Sequence, residues 1–265
     1  MSTTIKVNTA AFNWPGFLTL VRREVGRTRR VIGQAIITPL ITASLYIFVF
    51  GYVLGSKIAT IQGVPYLSFV FPGVFTMNLV MAVFSATSFS IFFMKFQKTI
   101  EDMLTLPLSY LELVVSLIIN GIVRALGISI ALSVVAVFFG VEKLPHPFIL
   151  LGYVLLASIL FGLFGVVAGI WADNNFEKFG FVTNFLLTPL SFLGGAFYSA
   201  SMLPEKWQFV VHWNPIFYIV DGIRYSLTNY HEASLLFGTG VLSALSVVFL
   251  GICIWIFQTG WKLRA

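Results

Sequence analysis

The sequence predicts an all-α integral membrane protein of six transmembrane helices, with an N-terminal amphipathic interfacial helix and an external re-entrant helical hairpin between helices five and six. Three observations carry this. Of 265 residues, 58% are hydrophobic and only 10% charged, with a mean hydropathy of +0.94; a soluble domain carries about 25% charged residues, so this chain cannot cover a globular surface in the ordinary way. Uncharged runs long enough to cross a hydrocarbon core of ~30 Å recur along it. Lysine and arginine gather in alternate loops, as the positive-inside rule requires of a protein that crosses back and forth. The whole of 1–265 reads as one membrane domain.

The interfacial helix is expected over 12–30. Pro15 stands near its first turn, Phe17, Leu18, Val21 and Val25 share a face, and Arg22, Arg23, Arg27, Arg29 and Arg30 form a cationic flank toward an anionic leaflet. About thirty mixed residues precede the first strong apolar run, so the first membrane helix is expected to act as its own insertion signal. That helix is placed at 31–56, with Pro39 as a kink and Gly51 and Gly55 as a small-residue face. Lys57 to Pro65 is a brief external link.

The second helix, 66–94, carries Asn78, Ser85, Thr87, Ser88 and Ser90 in its inner half, which suits hydrogen bonding between helices as well as it suits a substrate path. A charged bend follows, KFQKTIEDMLTLPLSYLE from Lys95 to Glu112, with Ile100, Met103, Leu104, Leu108 and Leu111 as an apolar stripe at helical spacing. Such a surface helix lies against lipid or inserts into a partner. The third helix, 113–139, holds Asn120 and Arg124; an arginine there must be paired, snorkel, or face protein or water, so it is either structural or a phosphate-binding or gating group. The fourth, 148–171, has Gly162, Gly165 and Gly169 for close packing.

A fifth helix at 179–201 is interrupted by Pro189 and by Gly194-Gly195. The stretch 204–230 is too polar for a full span and too apolar for a free loop, with Asn214-Pro215 as an internal break; two short helices dipping in from the outer interface satisfy both facts. Asp221 and Arg224, three apart, share a face, either lining an outer gate or pairing with each other. The sixth helix is placed at 233–257.

Lys6, the five N-terminal arginines, Lys95, Lys98, Lys178, Lys262 and Arg264 fall on one side of this arrangement, and Lys57, Lys143, Lys206 and Arg224 on the other. Both termini are therefore expected in the cytoplasm. Glu24, Glu101, Asp102, Asp173 and Glu177 cluster at that inner surface. Cys253 is the only cysteine, which rules out an intrachain disulfide, and His146, His212 and His231 lack metal-ligand spacing. The positive net charge needs no nucleic acid to explain it. With no phosphate-binding loop, nucleophile elbow or paired intramembrane carboxylates, the chain is not expected to be an enzyme or an ion-coupled carrier.

Two stretches carry a family resemblance. Glu101 to Ser109, EDMLTLPLS, resembles the turn between helices two and three of ABC-2 type transporter membrane subunits, with Leu106 where a threonine is usual. Ser191 to Leu227, with Gly194-Gly195-Ala196-Phe197-Tyr198, Leu203-Pro204, Asn214-Pro215, Asp221 and Arg224, resembles the C-terminal signature of the same family. The resemblance implies a half-transporter without its own motor. Two copies, a homodimer, would join two cytoplasmic ABC ATPase subunits in a bacterial inner membrane. ATP and Mg would be bound by those partners, and this chain would hold no cofactor. Glu101, Asp102, Leu104 and Leu108 would form the coupling helix, Arg23 and Glu24 would lie on the connecting helix, and a path or gate would draw on Asn78, Ser85, Ser88, Asn120, Arg124, Phe197, Tyr198, Asn214, Asp221 and Arg224. A polar second helix and an aromatic outer segment suit a polysaccharide, lipid-linked saccharide or other amphipathic lipid. Hydrophobic drug-like efflux, or a membrane scaffold that recruits a soluble partner, are the alternatives.

Overall fold

The computed structural model describes residues 12–55, 57–140, 144–172 and 175–263. Lys6, Lys143, Asp173 and Arg264, counted above for orientation, lie outside the described residues, as do the side chains of Arg29 and Arg30. Helix α1 (Trp14–Tyr46) begins at Asn13, whose side-chain oxygen accepts the Gly16 N–H at 3.1 Å, with Pro15 in its first turn. It then runs without a break into a π-helical stretch, Ile47–Leu54. The interfacial helix expected over 12–30 and the membrane helix expected over 31–56 are thus one rod. Nothing at their junction opposes a helix: Gly33 alone costs only about 1 kcal/mol relative to alanine, and Thr28 and Ala35 on either side are buried.

The link between the first two membrane stretches folds into a small antiparallel hairpin, β1 (Thr60–Ile61) and β2 (Val64–Pro65), with Thr60 opposite Pro65 and Ile61 opposite Val64. Gln62 and Gly63 both take positive φ, 50° and 78°, as a two-residue hairpin turn requires. The all-α expectation gains this one exception among the described residues.

Helix α2 (Tyr66–Phe96) is the centre of the bundle, packed against α4 (Tyr110–Phe138), α5 (Pro147–Ala172) and α9 (Pro215–Thr228). Glycines let it be approached closely. A Cβ on Gly165 would collide with Thr87 Oγ1, and one on Gly169 would sit 2.8 Å from the Ser88 carbonyl oxygen. A short helix, α3 (Ile100–Leu104), links α2 to α4.

The fifth helix expected over 179–201 is shorter and composite: α6 (Phe176–Phe181), a π-helical stretch Val182–Leu187, and α7 (Thr188–Leu193). Pro189 lacks an N–H and its ring excludes the carbonyl four residues back, so the turn before it widens; Thr188 Oγ1 donates to the Thr183 carbonyl five residues away at 3.0 Å. The helix stops at Gly194, and Gly195 follows at φ 72°. Beyond it come α8 (Glu205–Trp213), α9 and α10 (Leu235–Thr259). Among the described residues, five stretches are long and apolar enough to cross a membrane: Gly33–Gly51, Tyr66–Phe96, Tyr110–Phe138, Pro147–Ala172 and Leu235–Thr259.

Candidate functional site

The polar groups gather at three levels of the bundle. At the end of the bundle where α1 begins, Glu24 is fully buried although it stands on the arginine-rich part of α1. Its carboxylate meets Arg23 at 3.1 Å and Arg27 at 3.5 Å, and accepts from Ser90 Oγ of α2 at 2.7 Å. Arg27 also donates to Ser90 Oγ, at 2.6 Å. One turn on, the Thr28 hydroxyl bonds to the Asn120 side-chain oxygen of α4, and Asn120 Nδ2 donates to the Ala86 carbonyl of α2 at 3.3 Å. A buried acid and a buried amide thereby pin α1 to both of its neighbours.

Below this level, Glu112 closes a capping box with Ser109, taking the Ser109 N–H and hydroxyl at 2.6 and 2.7 Å. Its other oxygen accepts the Asn13 N–H at 2.6 Å, and Asn13 Nδ2 donates to the Pro107 carbonyl at 3.2 Å. The start of α1 is therefore joined directly to the bend before α4. Ile100, Met103 and Leu108 of the expected stripe are buried within the chain, Leu104 is half-buried and Leu111 is exposed, while Glu101 and Asp102 face outward. The stripe anchors α3 to its own bundle and turns the acidic pair to the surface.

In the middle, the hydroxyls of α2 mostly bond within their own helix. Thr87 donates to Val83 O at 3.1 Å, Ser88 to Phe84 O at 2.5 Å, and Asn78 Nδ2 to Val74 O at 2.9 Å. Ser88 is fully buried against the α5 glycines, whereas Asn78 and Ser85 are half-buried and share a helix face with Met81 and Phe89. Arg124 is half-buried on α4, and its Nε is buried with no hydrogen-bond partner.

At the opposite end of the bundle, Arg224 is fully buried. Its guanidinium donates to Gly195 O at 2.6 Å and Phe69 O at 3.3 Å, pairs with Glu232 at 3.3 Å, and lies 3.9 Å above the Phe69 ring. The ion-pair partner is thus Glu232, and Asp221 instead accepts the backbone N–H groups of Glu232 and Ala233 at 2.7 and 3.0 Å. Burial raises the Glu232 carboxyl above its ordinary range, while Arg224 and the Ala200 N–H act to lower it. Asn214 caps α9 through the Ile216 N–H at 3.0 Å and donates to Leu190 O at 2.6 Å. Phe197 packs on Phe50 with centroids 4.4 Å apart, and the Tyr198 hydroxyl donates to Leu193 O at 3.0 Å.

The structure brings Arg23, Glu24 and Asn120 into one network at one end of the bundle and gathers Asp221, Arg224 and the Gly195 turn into a cluster at the other; Asn78, Ser85 and Arg124 belong to neither. Sequence reasoning passed over Asn13, Glu112 and Glu232, while Ser90, one of the polar residues expected to bond between helices, does so. Glu112 had a signal, since Ser109 and a glutamate three residues later open an apolar run. Glu232 had none: nothing in its surroundings announces a partner eight residues earlier across a left-handed turn at Asn229.

Apolar helices in a bundle, with polar networks confined to the ends and a thin polar seam between them, define a multi-pass helical membrane protein. The model of the ABC-2 type transporter family matches residues 15–228. The chain is 33% identical over 253 residues to an inner membrane transport permease, YadH, of Escherichia coli K12, covering 95% of this chain and 98% of that protein. It is 25% identical over 237 residues to nodulation protein J of Rhizobium leguminosarum bv. viciae, covering 89% and 90%, and 25% identical over 214 residues to nodulation protein J of Sinorhizobium fredii, covering 80% of each. The chain belongs to the ABC-2 type transporter family.

Proposed function

We propose that this chain is the membrane-embedded permease subunit of an ATP-driven exporter in a bacterial inner membrane. In this reading it makes six crossings with both termini cytoplasmic, the interrupted helix of residues 176–193 supplying the fifth and α8–α9 an outer closure. Two copies pair and bind two cytoplasmic ABC ATPase subunits, which carry the ATP and Mg; the cargo is a polysaccharide, lipid-linked saccharide or other amphipathic lipid. The inner end carries the reading: α3 turns Glu101 and Asp102 outward while its apolar side is anchored, and the same bend is bonded through Glu112 to the start of α1. A push on α3 thus reaches α1 and α4 together. ATP binding would draw the motor subunits together, move this bend, and shift the path from inward toward outward access.

The test is co-reconstitution in vesicles with a cytoplasmic ABC ATPase. Reversing both charges, Glu101→Lys with Asp102→Lys, should abolish cargo-stimulated hydrolysis while the membrane subunit stays monodisperse. Full stimulation at normal assembly would remove α3 as the dock.

A further inference from the structure

We infer that Arg124 is the binding group for the phosphate of an amphipathic molecule entering from the inner leaflet; the inference rests on the permease reading and names the chemistry its path receives.

The depth of Arg124 follows from its neighbours. Asn120 is bonded to Thr28, and a Cβ on Gly127 would lie 3.6 Å from Ile36 Cδ1, so Arg124 stands between these levels, abreast of Gly33, near the start of the uncharged run that follows Arg30 in the sequence. That is the inner boundary of the hydrocarbon, one turn outward from the Thr28–Asn120 tie. Its Nε is buried and has no acceptor, and no hydrogen bond or ion pair to Arg124 occurs among the described residues. Arg23 and Arg27, a little closer to the cytoplasm, by contrast share the one Glu24 carboxylate and together keep a net positive charge.

A guanidinium cannot shed its charge at this depth, and with its Nε sealed off and unpartnered it is best completed by an anion. The chain offers none there. No aspartate or glutamate occurs anywhere in 31–56, 66–94, 113–139, 148–171, 179–201 or 233–257, so no membrane segment, of this chain or of a second copy, carries one. Glu24 and Asp221 are each already engaged by other groups. The anion therefore comes from outside the protein, and phosphate is the anionic group that membrane amphiphiles carry at the hydrocarbon boundary, with a geometry that matches the guanidinium fork. Arg22, Arg23 and Arg27 below it concentrate such headgroups at the entrance.

The experiment uses the full chain in nanodiscs without any ATPase, so that it stands or falls separately from the transport reading. Phosphatidic acid in a phosphatidylcholine background should be retained by the wild type about tenfold more tightly than by Arg124→Gln in native mass spectrometry, the loss expected for one charge-assisted bidentate contact. A headgroup-photoreactive phosphatidic acid should label the wild type on α4 within residues 120–128, a readout that does not depend on any variant folding. Equal retention by Arg124→Gln, labelling confined to other helices, or stabilisation by inorganic phosphate in water but not by phosphatidic acid would each overturn the inference. If lipid binds at Arg124 yet an added ATPase is never stimulated by cargo, the permease reading fails and this site remains.

Discussion

Arg224 illustrates how one side chain can hold an irregular region in place. Its three kinds of acceptor lie on different parts of the chain: a carbonyl of α2, the carbonyl of the glycine that ends the α7 region, and a carboxylate beyond α9. Because all of this is buried, removing the cation leaves Glu232 and the Gly195 carbonyl without their partner. Arg224→Met should therefore destabilise the chain by about 3–5 kcal/mol, read as a fall in thermal unfolding temperature in detergent. Glu232→Gln should cost less, since a neutral amide still accepts the Ala200 N–H bond that Glu232 makes at 2.7 Å. Gly165 acts through what it lacks. Its α-carbon faces Thr87 Oγ1 and the Phe84 carbonyl, so Gly165→Ala should push α5 from α2 at a cost of about 1–3 kcal/mol. Adding Thr87→Ala should recover part of that loss; equal stability of the single and double variants would mean that Thr87 is not the obstacle.

At the level of elements, most helices were legible because an apolar run long enough to cross lipid has few other ways to satisfy its backbone. α2, α4, α5 and α10 end within three residues of the expected bounds. The continuity of α1 was not legible, because five arginines look like a surface while the burial of Glu24 and Thr28 depends on residues 66 and 92 positions away. The composite helix before Gly194 was half legible: Pro189 and the glycine pair announced an interruption, but a glycine pair stops a helix outright whereas a proline only widened the turn before it. The bond from Glu112 to Asn13 gives the joined elements a measurable property. Glu112→Ala removes the carboxylate half of the capping box of α4 and one of the two bonds that tie the start of α1 to the bend, so amide exchange over residues 13–20 should rise together with that at 109–112. If only the latter rises, the two elements move independently and α1 does not follow the bend.

Across the whole molecule, α2 is enclosed on nearly every side, and the half-buried row Asn78, Met81, Ser85 and Phe89 breaks that enclosure along one face. At its inner end Phe89 reaches the Phe179 ring, with centroids 4.6 Å apart, and the remainder carries two polar side chains that lipid would solvate poorly. Under the proposed permease function, polar groups on one continuous face of the central helix would wall a path between two copies, whereas Ser88, one turn away in sequence terms but fully buried against Gly169, belongs to the packing of α2 on α5. The two serines therefore make a matched pair. Cys253 is the only native cysteine and is buried, so single-cysteine reporters need no altered background. In the assembled complex, Ser85→Cys should react with a membrane-impermeant thiol reagent applied to inside-out vesicles, and its rate should change when nucleotide is added. Ser88→Cys should stay unreactive under both conditions. If Ser85→Cys is as inert as Ser88→Cys, the seam faces lipid or protein and the path must run elsewhere; if both react, the contact of α2 with α5 is looser than the glycine packing requires.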